Sequence, residues 1–446
     1  MTGLARFFSS MVSRYMPDSF VIAIILTLVT GALTFLFEHK ELGTIVDSWG
    51  NGFWNLLTFA MQISIILATG YALAISPLVD RLLNRMVSVV NRPSTAIIVA
   101  TVAGGVASYL NWGFGLVVGG IVARKLALTV RGVHYPLIVT SAYSAFTLYG
   151  LGLSSVIPIT ISTPGHPLHA QMGLIPLSQT IFSPPMLVAS AIVLITLPIL
   201  NALMHPKNGA DVIEFDQSLS KQEFVDEPSS HATGTHHTFA SKLNNSRLLA
   251  YIIGGLGMVF VVRQIIQGGT ININSINLIL LFLGIVMVGT PARYVARLSQ
   301  GVGMISGIIL QYPFYAGIMA LMASSRLMTL LSDAFAHVAT QHTLPLWALL
   351  SSYVINIFVP SGGGHWVLQG PFMIAAAREL GAPLNQTAMA VQLGNAWNDI
   401  VQPLWILPVL ALSRLRLADV MGYLVVAMLW IGIVYAGVLL WWGYSA

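Results

Sequence analysis

Long apolar stretches separated by short polar segments run through most of the chain. A helix needs about 20 consecutive apolar residues to cross the hydrocarbon core of a bilayer. Two stretches, 94–130 and 343–380, are each divided by a glycine-rich break into halves of marginal length, which predicts re-entrant hairpins. Nine other stretches reach or approach the length of a crossing: 20–37, 52–79, 135–161, 183–204, 247–267, 275–289, 299–325, 387–412 and 420–443. The pattern therefore predicts an all-α polytopic membrane protein with about nine transmembrane helices plus two re-entrant hairpins.

The two breaks are the most informative part of this pattern. The first runs from Asn111 to Gly115 and the second from Pro360 to Trp366. Backbone that is not helical is tolerated at membrane depth only where it is buried in protein or lines a cavity. Two such interruptions, one in each half of a polytopic chain, indicate the binding site of a transporter. We therefore expect the chain to move a solute across a membrane.

Lysine and arginine are concentrated on one side of this threading. Positive residues collect in cytoplasmic loops, and an N-terminus in the cytoplasm puts sixteen of the 20 lysines and arginines on that side. The others are Lys40, Arg263, Arg326 and Arg378. If either hairpin crossed the membrane once, every later loop would change sides and this asymmetry would be lost. Because five crossings separate the hairpins, they should enter the membrane from opposite faces.

The composition agrees with a membrane protein and excludes other classes. Hydrophobic residues make up 56% of the chain and charged residues 8%, against about 25% charged in soluble domains. The absence of cysteine excludes disulfides, thiolate metal sites and cysteine nucleophiles. The net charge of +5 follows from the cytoplasmic loops, so it does not indicate binding to nucleic acid.

Two polar segments lie outside the predicted membrane region. Residues 1–18 contain an amphipathic stretch, Leu4 to Tyr15, which should lie as a helix at the membrane interface. Residues 205–246 should form a flexible cytoplasmic linker. Three histidines of this linker are an alternative metal site; they are His231, His236 and His237.

The two halves of the chain have the same order of elements. A gap-free offset of 249 residues relates several positions: Gly52 to Gly301, Gln62 to Gln311, Gly113 to Gly362, and Gly115 to Gly364. We therefore predict two inverted repeats, 19–204 with hairpin 94–130 and 268–446 with hairpin 343–380, joined by a transmembrane helix at 247–267.

The residues at the breaks are suited to a small monoanion. Helix N-termini present free N–H groups and a partial positive charge, so they bind a carboxylate without a cationic side chain. No lysine or arginine falls near either tip, whereas a second carboxylate would favour an arginine. The candidate substrate-binding residues are Asn111, Trp112, Gly113, Gly115, Ser361, Gly362, Gly363, Gly364, His365 and Trp397.

Asp399 is the only acidic residue well inside a predicted crossing. Because an ionised carboxylate is costly within the membrane, such a residue is a functional candidate. The run from Asn395 to Pro403 interrupts the predicted crossing 387–412. Asp399 could take a proton, bind Na⁺ together with backbone carbonyls, or stabilise this interruption by hydrogen bonding. The candidates for ion coupling are Asp399, Asn398, Asn395 and Ser155. No cofactor is expected apart from Na⁺ as a coupling ion.

Motifs of other classes do not fit. The glycines after Asn111 do not form G-x-G-x-x-G, and no G-K-[ST] accompanies a glycine run, so ATP is not expected to drive transport. An intramembrane hydrolase is the alternative from another class, with Ser361 and His365 as nucleophile and base. Since no G-x-S-x-G or H-E-x-x-H is present, we expect the chain not to be an enzyme.

Several segments resemble the AtoE-type short-chain fatty acid transporters. The resemblance covers nearly the whole chain, and the run Pro-Ser-Gly-Gly-Gly-His-Trp is its most specific part. The segments concerned are Gly52 to Leu57, Asn111 to Gly119, Ser162 to Gly165, Gln311 to Ile318, and Val359 to Val367. This resemblance implies uptake of acetoacetate- or butyrate-type acids in the bacterial cytoplasmic membrane. It also implies membership of the ion-transporter superfamily, with cation coupling and homodimers. A carrier of C4-dicarboxylates or other organic anions from the same superfamily is the alternative.

Overall fold

The computed structural model of the chain describes residues 17, 19–38, 40–215, 238–402, 405–406, 409–410 and 413–445. Every regular element in these residues is a helix, which confirms the predicted all-α class. Eight described helices are long and apolar enough to cross a membrane when Tyr135–Ile161 is counted as one. The stretch Leu4 to Tyr15 and the three linker histidines lie outside the described residues.

Both hairpins and most predicted crossings form helices close to their expected bounds, whereas the helix of the predicted crossing 387–412 ends at Asn398. In the first half the segments are Ser19–Glu38, Leu42–Gly52, Leu57–Ala74, Pro77–Val87, Pro93–Leu110, Trp112–Thr129, Tyr135–Ser144, Ala145–Leu151, Val156–Ile161, His169–Met172, Leu177–Gln179 and Pro184–Leu203. In the remainder they are Gly209–Asp211, Phe239–Asn244, Arg247–Ile266, Ile273–Val288, Pro291–Val302, Gly303–Ile305, Ser306–Ala323, Leu327–Val338, Leu344–Phe358, Gly362–Leu380, Leu384–Asn398 and Leu417–Tyr444.

Two hairpins and two interrupted helices surround the centre of the molecule. Hairpin 1 is Pro93–Leu110 followed by Trp112–Thr129, and hairpin 2 is Leu344–Phe358 followed by Gly362–Leu380. The first interrupted helix is Tyr135–Ile161, which is almost wholly buried. The second begins as Leu384–Asn398 and loses helical geometry at Asp399 to Gln402. Arg247–Ile266 is mostly exposed on the surface that would face lipid.

The structure contains amphipathic helices that the apolar pattern did not separate from the crossings. Leu42–Gly52 precedes the predicted crossing 52–79 and shares only Gly52 with it. Pro291–Val302 overlaps the start of the predicted crossing 299–325. Pro77–Val87 starts a new helix because Ser76 accepts a hydrogen bond from the Val79 N–H and Pro77 occupies the first turn. Such helices have an apolar face and a polar face, so their sequences are not uniformly apolar.

Whole helices are related by the 249-residue offset. Three pairs start exactly that far apart: Leu42–Gly52 and Pro291–Val302, Leu57–Ala74 and Ser306–Ala323, and the interrupted helices that begin at Tyr135 and Leu384. The offset therefore relates both the order and the register of the helices. The boundaries of the two repeats and their inversion stay predictions.

The first part of the predicted linker is packed against the protein. The Tyr135 N–H donates to the Ile213 carbonyl at 2.7 Å, and the Gly132 N–H donates to a Glu214 carboxylate oxygen at 2.6 Å. His205 lies 3.1 Å from the Gly132 carbonyl through its Nε2. Residues 205–215 are thus held at the start of the first interrupted helix.

Candidate functional site

A cavity of about 430 Å³ lies where both hairpin tips meet the first interrupted helix. Most of its wall is apolar, and its polar side chains come from the tip of hairpin 2, the helix Ser306–Ala323 and the first interrupted helix. The lining residues are Phe20, Ile63, Leu67, Trp112, Leu116, Phe146, Tyr149, Val156, Ser306, Gly307, Ile308, Leu310, Gln311, Tyr312, Pro360, Ser361, Gly362, Gly363 and Trp405. This size and this mixture of apolar walls with a few polar groups are typical of small-molecule sites.

The tip of hairpin 2 presents donors to this cavity. Ser361 precedes the helix Gly362–Leu380, whose first N–H groups have no acceptors within the helix. The Ser361 hydroxyl donates to the Tyr312 hydroxyl at 3.2 Å and accepts a long hydrogen bond, 3.4 Å, from the Gly364 N–H. Gly362 and Gly363 line the cavity beside it. The tip therefore combines a hydroxyl, backbone N–H groups and the positive end of a helix.

Gly363 is required by close packing. A Cβ atom at this position would lie 2.6 Å from the Tyr312 hydroxyl oxygen and 2.8 Å from the ring of Phe59. Both neighbours are large, and Tyr312 and Phe59 also contact each other with ring centroids 5.8 Å apart. A side chain here would displace the aromatic groups that shape the cavity.

The tip of hairpin 1 uses its donors within the protein. The Trp112 N–H donates to Ser154 Oγ at 2.8 Å, and the Phe114 N–H donates to Asn111 Oδ1 at 2.8 Å. The Leu153 N–H donates back to the Tyr109 carbonyl at 2.7 Å. Hairpin 1 is thereby attached to the break of the first interrupted helix. It contributes to the cavity mainly through the ring of Trp112.

One donor of hairpin 1 has no partner in the described part of the protein. The Trp112 indole N–H is buried and has no hydrogen-bond partner among the described residues. The Trp112 ring lines the cavity and meets Trp405 edge to face, with centroids 5.5 Å apart. Trp112 can therefore offer both an apolar surface and an N–H group.

No charged side chain is among the described residues that line the cavity. The two basic residues nearest the tips in sequence are engaged elsewhere. Arg378 donates to the Gln171 carbonyl, and the Arg124 guanidinium lies 5.8 Å from the centre of the Phe215 ring. An anion in the cavity would thus meet only uncharged donors, as expected for a single carboxylate.

Asp399 lies beside the cavity in a buried polar network. Its two carboxylate oxygens lie 2.7 Å from Asn356 Nδ2 and 2.6 Å from the Tyr149 hydroxyl oxygen. The Tyr149 oxygen is also 2.7 Å from Asn395 Oδ1, and Asn395 Nδ2 donates to Asn356 Oδ1. The Tyr143 hydroxyl donates to the Asp399 backbone carbonyl at 2.6 Å. Within the described part of the chain, no lysine or arginine pairs with this carboxyl group.

Four of the ten candidate substrate residues line the cavity, namely Trp112, Ser361, Gly362 and Gly363. The other six are not among the described lining residues. Asn111, Gly113, Gly115 and Gly364 lie behind the tips, where Asn111 caps its helix and Gly115 and Gly364 allow close packing on Ser108 and Tyr315.

His365 and Trp397 face away from the cavity. His365 lies one turn into its helix and faces the other arm of hairpin 2, where Nε2 contacts Ser352 Oγ at 3.1 Å. The same nitrogen also contacts Gln369 of its own helix. Trp397 packs on Tyr353 with ring centroids 4.3 Å apart, and its indole N–H donates to the Met428 carbonyl at 2.7 Å. Both side chains bind protein groups in this structure, and their role in the substrate site stays a prediction.

Three of the four ion-coupling candidates lie together. Asp399 and Asn395 share the network, and Asn398 Oδ1 accepts from Asn356 Nδ2 at 3.2 Å. Ser155 lies apart from them and donates to the Gly150 carbonyl at 2.7 Å, within the break of the first interrupted helix.

The central residue of the network, Asn356, is absent from the sequence-based candidates. It belongs to a largely apolar arm of hairpin 2 and is fully buried, as is Ser352 one turn earlier. Polar residues four positions apart on an apolar helix share one face. The spacing of Ser352 and Asn356 therefore indicates a buried polar face on this arm.

A second cavity of about 250 Å³ lies on the other side of Phe59. Its lining is more polar and includes Asn55, Gln62, Thr163 and His166. His166 Nε2 lies 2.9 Å from the Gly173 carbonyl, and its Nδ1 accepts from the Leu168 N–H. Burial lowers the pKa of His166, and both of its ring nitrogens contact backbone groups.

Comparison with known proteins decides the family. A family model described as "Short chain fatty acid transporter" matches residues 1–442. The chain belongs to the short-chain fatty acid transporter family. A relative from Escherichia coli K12, named "Putative short-chain fatty acid transporter", is 38% identical over 435 residues, which cover 97% of this chain and 98% of the relative. A relative of the same name from Haemophilus influenzae is 38% identical over 435 residues, 96% of each chain.

The fold is also found in a solved structure. The Alcanivorax borkumensis YdaH transporter, whose crystal structure has an unusual topology, matches with a TM-score of 0.64 over 96% of this chain and 98% of its own. At 13% identity this likeness concerns the fold alone. Family membership and the apolar helices together identify a multi-pass membrane protein that transports short-chain fatty acids and is not an enzyme.

Proposed function

We propose that this member of the family takes up acetoacetate- or butyrate-type anions across the bacterial cytoplasmic membrane, coupled to Na⁺ or H⁺. The observation that carries the proposal is the cavity at the tip of hairpin 2. It combines Ser361 and the N–H groups after it with walls of Trp112, Phe146 and Leu116. Such a site matches a molecule with one carboxylate and a short acyl tail.

The carboxylate binds at the start of the helix Gly362–Leu380. Uncharged donors at a helix N-terminus stabilise a monoanion through hydrogen bonds and the helix dipole. The acyl tail then lies against the aromatic and aliphatic walls, where its burial contributes about 0.8 kcal/mol per CH₂. The short tail of a four-carbon acid fits well within about 430 Å³.

A C4-dicarboxylate is the alternative substrate. Its second carboxylate would be buried without a cation, because the described lining contains no lysine or arginine. An unpaired buried charge is strongly unfavourable. The cavity therefore favours monocarboxylates.

The proposal includes an orientation in the membrane. With a cytoplasmic N-terminus, hairpin 1 enters from the cytoplasm and hairpin 2 from outside, and the repeats 19–204 and 268–446 are inverted. The substrate cavity then lies near mid-membrane, as in other transporters built from repeats with broken helices.

Uptake by the purified protein in liposomes tests this function. Labelled acetoacetate, butyrate and succinate should be offered under Na⁺ and H⁺ gradients imposed separately, with protein-free liposomes as the background for undissociated acid that crosses lipid unaided. Acetoacetate and butyrate should accumulate above this background, and succinate should neither accumulate nor compete. Preferred uptake of succinate would contradict the proposal.

A further inference from the structure

Four side chains beside the cavity form a closed ring of hydrogen bonds. The ring runs from Asp399 to Tyr149, then to Asn395, to Asn356 and back to Asp399. All four residues are buried. They come from three elements: the first interrupted helix, hairpin 2 and the second interrupted helix.

The ring has four contacts, and each needs one hydrogen. Asn356 supplies one to Asp399 Oδ1, and Asn395 supplies one to Asn356 Oδ1. Tyr149 has a single hydroxyl hydrogen, yet its oxygen lies 2.6 Å from Asp399 Oδ2 and 2.7 Å from Asn395 Oδ1. Both distances are those of O–H···O hydrogen bonds. If Asp399 is ionised, one of these two contacts has no hydrogen.

Reversing the side-chain amides does not remove this deficit. Exchanging the amide oxygen and nitrogen of both Asn356 and Asn395 moves the missing hydrogen to the contact between Asn356 and Asp399. Exchanging them in Asn395 alone makes the amide oxygens of Asn395 and Asn356 face each other. Exchanging them in Asn356 alone makes its amide oxygen face the Asp399 carboxylate. The orientation of Asn356 is also supported by its further contacts, since Nδ2 lies 3.2 Å from the Asn395 carbonyl and from Asn398 Oδ1.

We propose that Asp399 carries the coupling proton in this conformation and that the transporter is an H⁺ symporter of monocarboxylates. A proton on Oδ2 donates to the Tyr149 oxygen, the Tyr149 hydroxyl then donates to Asn395, and all four contacts are complete. A metal ion bound elsewhere would not provide the missing hydrogen at 2.6 Å. This inference rests on the proposed function and identifies the ion that drives it.

The ring also explains why proton and substrate would bind together. Tyr149 belongs both to the ring and to the cavity wall, and Asn356 belongs to hairpin 2, whose tip receives the carboxylate. Loss of the proton leaves an uncompensated negative charge beside a site for an anion and opens the ring. Both effects disfavour substrate binding, so the anion should bind only after the proton.

Few other groups near Asp399 can titrate. The described titratable side chains that face it are Tyr143 and Tyr149, with His365 next to Asn356 at 3.3 Å and Tyr435 next to Thr147 at 2.9 Å. The His365 ring lies among Ser352, Gln369 and Asn356 and does not touch the carboxyl group. Asp399 is thus the acidic group of the ring.

The variant Asp399→Asn imitates the protonated state. An Asn amide can accept from Asn356 and donate to Tyr149, so it supplies the fourth hydrogen permanently and preserves the ring. In proteoliposomes it should still exchange internal for external acetoacetate, but lose accumulation driven by a pH gradient. Asp47→Asn, the same change at an exposed position of Leu42–Gly52, is the matched control and should accumulate acetoacetate like the wild type.

One proton per monoanion makes transport electroneutral. Wild-type accumulation should therefore respond to a pH gradient, acidic outside, but not to an imposed membrane potential or a Na⁺ gradient. Infrared difference spectra on acetoacetate binding at neutral pH should contain a carboxylic acid band that is missing in Asp399→Asn. Accumulation at the wild-type level in Asp399→Asn, a requirement for Na⁺, or an ionised Asp399 in the spectra would each overturn the inference. Failure of the wild type to exchange acetoacetate or butyrate at all would instead contradict the proposed function.

Discussion

Gly363 is a position of the cavity wall where a single methyl group should strongly affect transport. Its missing Cβ leaves space for Tyr312 and Phe59, which would otherwise be 2.6 and 2.8 Å away. Gly363→Ala should abolish acetoacetate uptake, because forced movement of packed aromatic groups costs about 1–3 kcal/mol and changes the cavity. Gly255→Ala is the matched control, since a Cβ there meets no atom within 4 Å. Equal uptake by the two variants would show that the tip does not approach Tyr312 so closely.

Ser361 offers a second test at the level of one residue. Its hydroxyl lines the cavity and is bonded to Tyr312. Ser361→Ala should weaken acetoacetate binding by about 1.5–3 kcal/mol, the usual loss for one hydrogen bond to a charged group. Equilibrium binding to the purified protein measures this change, and Ser190→Ala, whose hydroxyl bonds its own helix, serves as the control. An unchanged Kd in Ser361→Ala would remove this hydroxyl from the site.

The site residues that could be predicted from sequence are those defined by local chemistry. Ser361, Gly362 and Gly363 belong to a glycine-rich break, which is tolerated at membrane depth only where the backbone is buried in protein or lines a cavity. Asp399 is an acidic residue inside a predicted crossing, where such residues are rare. The sequence alone does not tell whether His365 and Trp397 line the cavity, because the rotation of a helix decides which face meets it. Asn356 was missed because its partners, Asp399 and Asn395, come from another element.

At the scale of elements, hairpin 1 is hydrogen-bonded to the first interrupted helix, and we propose that hairpin 2 carries the binding groups. The break of the first interrupted helix holds hairpin 1 through Ser154, which accepts from the Trp112 N–H. Ser154→Ala would leave this N–H buried without an acceptor, which costs about 1–3 kcal/mol. We expect a lower Tm in detergent for Ser154→Ala than for Ser190→Ala. Equal Tm values would mean that the contact does not stabilise the tip.

The apolar pattern predicted the crossings and hairpins well because each depends on a long local stretch. It did not separate Leu42–Gly52 and Pro291–Val302, since an amphipathic helix is recognised by period and not by mean apolar content. The 249-residue offset contains this information, because Gly52 and Gly301 occupy corresponding places in these two helices. Aligning the two halves of the chain at this offset therefore predicts Pro291–Val302 from Leu42–Gly52, and the reverse.

At the scale of the whole molecule, the proposed inverted repeats require the feet of the two hairpins to lie on opposite sides of the membrane. The chain has no cysteine, so single cysteines can be introduced without further changes. Thr129→Cys and Glu379→Cys, both at exposed positions, should react with an impermeant maleimide from opposite sides of oriented vesicles. Reaction of both from the same side would refute the inverted arrangement.

A high-resolution structure of the protein saturated with acetoacetate tests the central claim most directly. We predict the acid in the cavity of about 430 Å³, with its carboxylate within hydrogen-bond distance of Ser361 Oγ and the N–H groups of Gly362 and Gly363. Its acyl tail should contact Trp112, and no lysine or arginine should reach it. Acetoacetate bound instead in the polar cavity beside Thr163 and His166, or held by an arginine, would contradict this account.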